Sequence, residues 1–214
     1  MNKKFAFTLS ELLIAMGIIG VISALTVPTM INNYQKNANA IQFRKVLTEI
    51  AAAADMYTME EGKQYFDQTR VMQDSDARIR FFNEKFKIIR TCPSDTNGGC
   101  FSSNPYRASD ASLTESFTCS REHYLLANSA AICPIGDYNG SHATNHLVLY
   151  IDINGPDAPN TGGRDMFKVY IDGFGEIQPN IPSKTADLAD DCPSSPLGAG
   201  CYKRLLENNW KMDY

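Results

Sequence analysis

The sequence predicts an α+β chain: a long N-terminal helix packed on a small antiparallel β-sheet, with disulfide-rich loops. Three observations carry this. A nearly unbroken apolar run, Leu12 to Leu25, leads into an amphipathic pattern that ends near Tyr57. Two later segments, 145–152 and 167–171, read as strands. Six cysteines fall at 92, 100, 119, 133, 192 and 201. With 214 residues, 43% hydrophobic and 21% charged, the chain can hold one domain plus an extended helix.

The N-terminal run, interrupted only by Gly17, Gly20 and Ser23, must leave water. A secretory signal peptide would need a basic start, an apolar core and small residues such as Ser23-Ala24 before the cut. A plain anchor fits as well, because Phe5 to Ile31 exceeds the roughly 20 residues of a spanning helix. Lys3 and Lys4 would keep its start in the cytoplasm. Glu11 argues against both as complete accounts. A carboxylate near the membrane core costs about 2–3 kcal/mol and usually has a partner, which neither a signal core nor a simple anchor requires.

The residues Lys3-Lys4-Phe5-Ala6-Phe7-Thr8-Leu9-Ser10-Glu11-Leu12-Leu13 resemble the processing site of type IV pilins and type II secretion pseudopilins. In that family the leader is cut before a Phe, followed by Thr-Leu and, four residues after the Phe, a Glu. Phe7, Thr8, Leu9 and Glu11 match in turn, and Pro28 matches a proline typical of the family helix. Ala6 stands where the family usually has Gly, and Ser10 where it often has an aliphatic residue. The resemblance implies a leader 1–6 removed after Ala6, methylation of the new N-terminus at Phe7, and a transmembrane and assembly segment 7–31. Residues 32–214 would then be a pilin-like globular domain outside the cytoplasm that includes the second half of the helix. The implied partners are other pilin or pseudopilin subunits, prepilin peptidase, an inner-membrane assembly platform, and membrane lipid before assembly. The implied location is the bacterial inner membrane, single-pass, and afterwards a periplasmic or cell-surface filament. Glu11 and Pro28 are the expected assembly residues.

Beyond the apolar run, Phe43, Val46, Leu47, Ile50, Ala54 and Tyr57 recur at three- and four-residue steps, so one helix face is apolar. Arg44, Lys45, Thr48, Glu49 and Asp55 point elsewhere, and Gly62 supplies a stop. From Thr8 to Glu61 such a helix measures roughly 80 Å at ~1.5 Å per residue. Pro28 removes one backbone hydrogen bond and is expected to kink or loosen it. Gly17 and Gly20 weaken it further or permit close packing in lipid. Asp74-Ser75-Asp76 reads as an N-cap. Ile79, Phe82, Phe86 and Ile89 follow at helical spacing, so a second helix is expected up to Arg90.

Residues 91–142 are rich in turn signals, and Glu122 to Cys133 is compatible with either a strand or a short helix. Residues 145–152 form one strand. Phe167, Val169 and Ile171, alternating with Lys168 and Tyr170, form a second, and Glu176-Ile177-Gln178 a short third. An antiparallel sheet on the helix's apolar stripe is the natural outcome. The tail, with Leu205, Leu206 and Trp210, is expected to dock on that sheet as a short helix or turn.

An even cysteine count in an exported chain favours disulfides, and six cysteines allow fifteen pairings. Sequence-local pairing is the simplest: Cys92 with Cys100, Cys119 with Cys133, Cys192 with Cys201. Asp152, Asn154, Asp157, Asn160 and Asp165 crowd one loop with hard oxygen ligands. Some secretion pseudopilins bind calcium in a loop near their C-terminal strands, so calcium is the one metal candidate. The spacing departs from an EF-hand, because Pro156 takes a ligand position and the closing Glu is missing. The same residues are ordinary turn formers, and that reading is preferred. For zinc, His142 and His146 lie four apart with Cys119 and Cys133 upstream, but disulfides would consume those sulfurs.

The formal net charge of −4 and the lack of any basic run argue against a nucleic-acid partner. There is no nucleophile elbow, Walker loop or dinucleotide fingerprint, and no cofactor or catalytic residue is expected. The expected function is a structural subunit of a type II secretion pseudopilus or a type IV pilus-like filament. The alternatives are a signal-anchored extracellular enzyme or ligand-binding domain, and a minor-pilin tip adhesin.

Overall fold

A computed structural model describes residues 8–137, 145–180 and 192–214. Helix α1 (Leu9–Glu60) runs for 52 residues through Pro28. The chain divides into two compact units, Met1–Ala38 and Asn39–Tyr214, and α1 contributes to both. In the first unit, Leu9, Leu13, Ile19, Val21, Leu25 and Met30 are all exposed. Pro28 has no N–H to give to the carbonyl of Ala24. On either side of it the hydroxyls of Thr26 and Thr29 donate to the carbonyls of Ile22 and Leu25 at 3.0 and 3.4 Å.

The second unit is built on the helical stripe that the spacing predicts. Phe43, Val46, Leu47, Ile50, Ala54 and Tyr57 are buried, while Arg44, Lys45, Thr48, Glu49 and Asp55 are exposed. They cover a six-stranded sheet in the order β1-β4-β5-β6-β7-β8. Its strands are β1 (Ile88–Cys92), β4 (His123–Leu126), β5 (Ala131–Asp137), β6 (His146–Asp152), β7 (Met166–Asp172) and β8 (Ile177–Gln178). Every pairing is antiparallel. Two short strands, β2 (Tyr106–Arg107) and β3 (Thr114–Glu115), pair apart from it.

Because strand side chains alternate between faces, the sheet carries two cores. Ile132, Leu147, Leu149, Ile151, Phe167, Val169 and Ile171 face α1. Phe43 stacks on Phe167 with ring centroids 3.8 Å apart, and Tyr202 meets Phe43 edge-on at 5.8 Å. Ala131, Cys133 and Met166 point the other way, into a second cluster with Phe101, Tyr106 and Phe117. Helix α3 (Cys201–Glu207) closes the first core with buried Leu205, while Leu206 stays exposed and Trp210 packs at the edge.

The second helix is shorter than its spacing suggests. Helix α2 spans Ser75–Lys85, with the Asp74 carboxylate accepting the Asp76 N–H. Phe86 is already extended at φ −122, ψ 145. The segment Ile88-Ile89-Arg90-Thr91, rich in β-branched residues, joins β1 and pairs with β4, with a register shift at Ile89, instead of continuing the helix. The buried face of α2 is Ala77, Arg78, Phe81 and Phe82; Ile79 is half-buried and Ile89 is exposed. The undecided stretch from Glu122 to Cys133 is a hairpin formed by β4 and β5.

Candidate functional site

The first candidate site is the start of α1. Thr8 stands just before the helix, and the Glu11 carboxylate accepts both the Thr8 N–H at 2.9 Å and the Thr8 hydroxyl at 2.7 Å. The Glu11 N–H donates back to the Thr8 hydroxyl at 3.3 Å. This reciprocal exchange is a capping box: two amides that a helix start leaves unpaired each find a side-chain acceptor. A negative group here also complements the helix dipole. Sequence reasoning weighed Glu11 only as a charge in an apolar run and missed this box, although the Thr-x-x-Glu spacing is legible. Ala6 and Phe7 lie outside the described residues.

Among the described residues one helix, α1, is long and apolar enough to cross a membrane, with a window of mean hydropathy 2.2 near the N-terminus that is 0% buried. Pro28 lies within α1, beyond the run Leu12–Leu25.

The second candidate is the loop joining β6 to β7. Asp152 and Asp165 are both wholly buried. The Tyr106 hydroxyl donates to Asp152 Oδ2 at 2.6 Å and the Asn154 N–H to Oδ1 at 3.2 Å. Asp165 accepts the N–H groups of Asn160 and Thr161 at 2.7 and 2.6 Å. Asn154 Nδ2 donates to the carbonyls of Asp157 and Ala158 at 2.7 and 2.9 Å. Asn160, at a left-handed φ of 54°, donates through Nδ2 to Ser102. Burial pushes the Asp165 carboxyl up to about 6. Burial, and then the neighbouring Asp165 charge, raises Asp152 well above the usual carboxylate range.

The loop therefore gathers Asp152, Asn154, Asn160 and Asp165, and leaves the Asp157 side chain exposed. All four carboxylate oxygens of Asp152 and Asp165 accept hydrogen bonds from within the chain, which is what a self-closed turn requires. The Oδ1 atoms of Asn154 and Asn160 are buried without a hydrogen-bond partner. A hard cation would draw on these two oxygens and on the two carboxylates.

The cysteines pair by proximity in sequence: Cys92–Cys100, Cys119–Cys133 and Cys192–Cys201. The sulfurs of Cys119 and Cys133 are thereby taken from any zinc set. His146 sits on β6, 5% exposed, and His142 lies outside the described residues. Cys92, Cys100 and His123 also converge, but the two sulfurs are bonded to each other. The His123 ring lies within hydrogen-bonding distance of the carbonyls of Arg121 and Asn97. This cluster is a packed core element.

Comparison with curated proteins finds no match, and comparison with solved structures finds none either. Residues 1–27 match the family described as the prokaryotic N-terminal methylation motif. The chain therefore carries, at its N-terminus, the prepilin-type methylation motif found at the head of type IV pilins and pseudopilins.

Proposed function

We propose that the chain is a structural, non-catalytic subunit of a type II secretion pseudopilus or type IV pilus-like filament. It is inserted once in the inner membrane, with residues 32–214 outside the cytoplasm. Prepilin peptidase cuts after Ala6 and methylates Phe7. The assembly platform then transfers the subunit from lipid into the filament. The observation that carries this reading is the motif at 1–27, within which an exposed apolar helix begins with Glu11 in its first turn.

The physics of assembly follows from that carboxylate. In the filament, Glu11 pairs with the Phe7 amine of a neighbouring subunit. The pair compensates two charges otherwise stranded among apolar helices, and it fixes axial register because a shifted neighbour leaves both unpaired. The apolar faces from Leu9 to Leu25 supply most of the packing. No cofactor and no nucleic acid enter this reading, and the loop between β6 and β7 serves as a self-bonded turn.

Glu11→Ala is expected to leave membrane insertion and processing intact and to stop incorporation into sheared filaments, scored by immunoblot. Normal incorporation would refute the pairing. A mature N-terminus other than Phe7, by mass spectrometry, would refute the processing site.

A further inference from the structure

Strand β5 carries a glycine where α2 approaches it. A side chain at Gly136 would collide with the Met72 carbonyl and with Nη2 of Arg78. The space it leaves admits the Arg78 guanidinium, whose Nε and Nη2 donate to the carbonyls of Val71 and Met72, each at 3.1 Å. Arg78 is only 7% exposed, and both of those acceptors are neutral. A second arginine, Arg121, lines the same cavity of roughly 260 Å³ together with Met72, Gln73, Ser75 and Gly136.

Two cations thus share one small cavity. Burial and then the Arg121 charge make Arg78 easier to deprotonate than an ordinary arginine. Among the described residues no carboxylate forms a salt bridge with Arg78 or Arg121, and Asp74 offsets the Arg78 charge more weakly than burial and Arg121 oppose it. Asp74 accepts the Asp76 N–H and faces Arg70 at 3.6 Å. Glu122 accepts the Tyr124 hydroxyl. Asp74 also closes the N-terminus of α2, so the positive character of the cavity comes from the two guanidiniums and not from the helix dipole. A buried charge held only by neutral carbonyls, with a like charge beside it, is costly unless an opposite charge enters.

We propose that this cavity is a binding site for a small oxyanion, clasped between Arg78 and Arg121 with the Ser75 hydroxyl at its rim. Planar guanidinium groups suit phosphate and carboxylate oxygens alike. The shared chemistry fits two sources: a free phosphate, or an acidic side chain of a second copy of this chain.

The test is calorimetric titration of the mature full-length chain, in non-ionic detergent, with inorganic phosphate and separately with acetate at fixed ionic strength. Saturable binding is expected. Arg121→Gln should weaken it about tenfold or more, as loss of a charge-assisted contact implies. Arg80→Gln, an exposed arginine of the same helix outside the cavity, should leave it within about twofold if the effect is local rather than bulk charge. Tighter phosphate than acetate supports the site with a free phosphate as source, and the reverse order supports it with a carboxylate of a second copy. Absence of saturable binding of either anion overturns the proposal, as does an Arg121→Gln protein that binds like wild type. An equal loss in Arg80→Gln overturns it too. Because Arg121 is exposed and repels Arg78, its replacement should not lower the thermal midpoint, which separates lost binding from lost fold.

Discussion

Glu11 is both a helix cap and the proposed partner of a neighbour's amine, and one substitution separates the two roles. As a cap it accepts the Thr8 N–H and hydroxyl at 2.9 and 2.7 Å. As an assembly residue it supplies a negative charge. Glu11→Gln keeps an acceptor oxygen, and glutamine serves in capping boxes as glutamate does, so the helix start loses little of the ~1 kcal/mol a cap contributes. The charge, in contrast, is gone. A neighbour's Phe7 ammonium left unpaired among apolar helices costs about 3–5 kcal/mol. At 1.4 kcal/mol per factor of ten, that lowers incorporation at least ~100-fold. The assay is the fraction of mature subunit in sheared filaments, normalised to processed subunit in the membrane, for wild type, Glu11→Gln and Glu11→Ala. Both variants should fail together. If Glu11→Gln assembled normally while Glu11→Ala did not, the cap and not the charge would be what assembly needs, and the pairing argument would fall.

Two further expectations concern the globular unit, and Trp210, the single tryptophan, reports on both through its packing near Phe43. Phe43→Ala removes the ring stacked on Phe167 and should cost about 3–5 kcal/mol in urea unfolding; a loss below ~1 kcal/mol would contradict the central place given to this contact. The buried Asp165 should make stability depend on pH. Its folded value, about 6, lies above the unfolded value near 3.9. Its contribution is therefore fully present below about pH 4 and is lost as pH rises through about 6. Urea midpoints should show that decline in wild type and a flatter profile in Asp165→Asn, and parallel profiles would rule it out.

Much of this was legible in the chain. The apolar run and the residues around Phe7 and Glu11 identified the N-terminal element, because a leader motif is a linear pattern with fixed spacing. The helical stripe from Phe43 to Tyr57 and the alternation in β6 and β7 were legible because burial on one face imposes a period of 3.6 or 2. The second helix was overextended because Phe86 and Ile89 continue its spacing. Only the pairing of Ile88–Cys92 with β4 shows that this segment belongs to the sheet. The hairpin of β4 and β5 is not legible in Glu122 to Cys133 because Tyr124-Leu125-Leu126-Ala127 and Ala130-Ala131-Ile132-Cys133 are short apolar runs without alternation, which suit a strand or a helix alike.

The sequence by itself determined the membrane-competent N-terminal helix, the processing motif and which helical face is buried, since each depends on residues close together along the chain. Tertiary structure decided what depends on long-range approach. It turned the carboxylates of Asp152 and Asp165 inward onto Tyr106 and the loop's own amides, where burial raises them. It also brought Arg78 and Arg121, 43 residues apart in the chain, to one cavity beside Gly136. No local pattern encodes that meeting, because it exists only where α2 rests on a strand that has no side chain in the way.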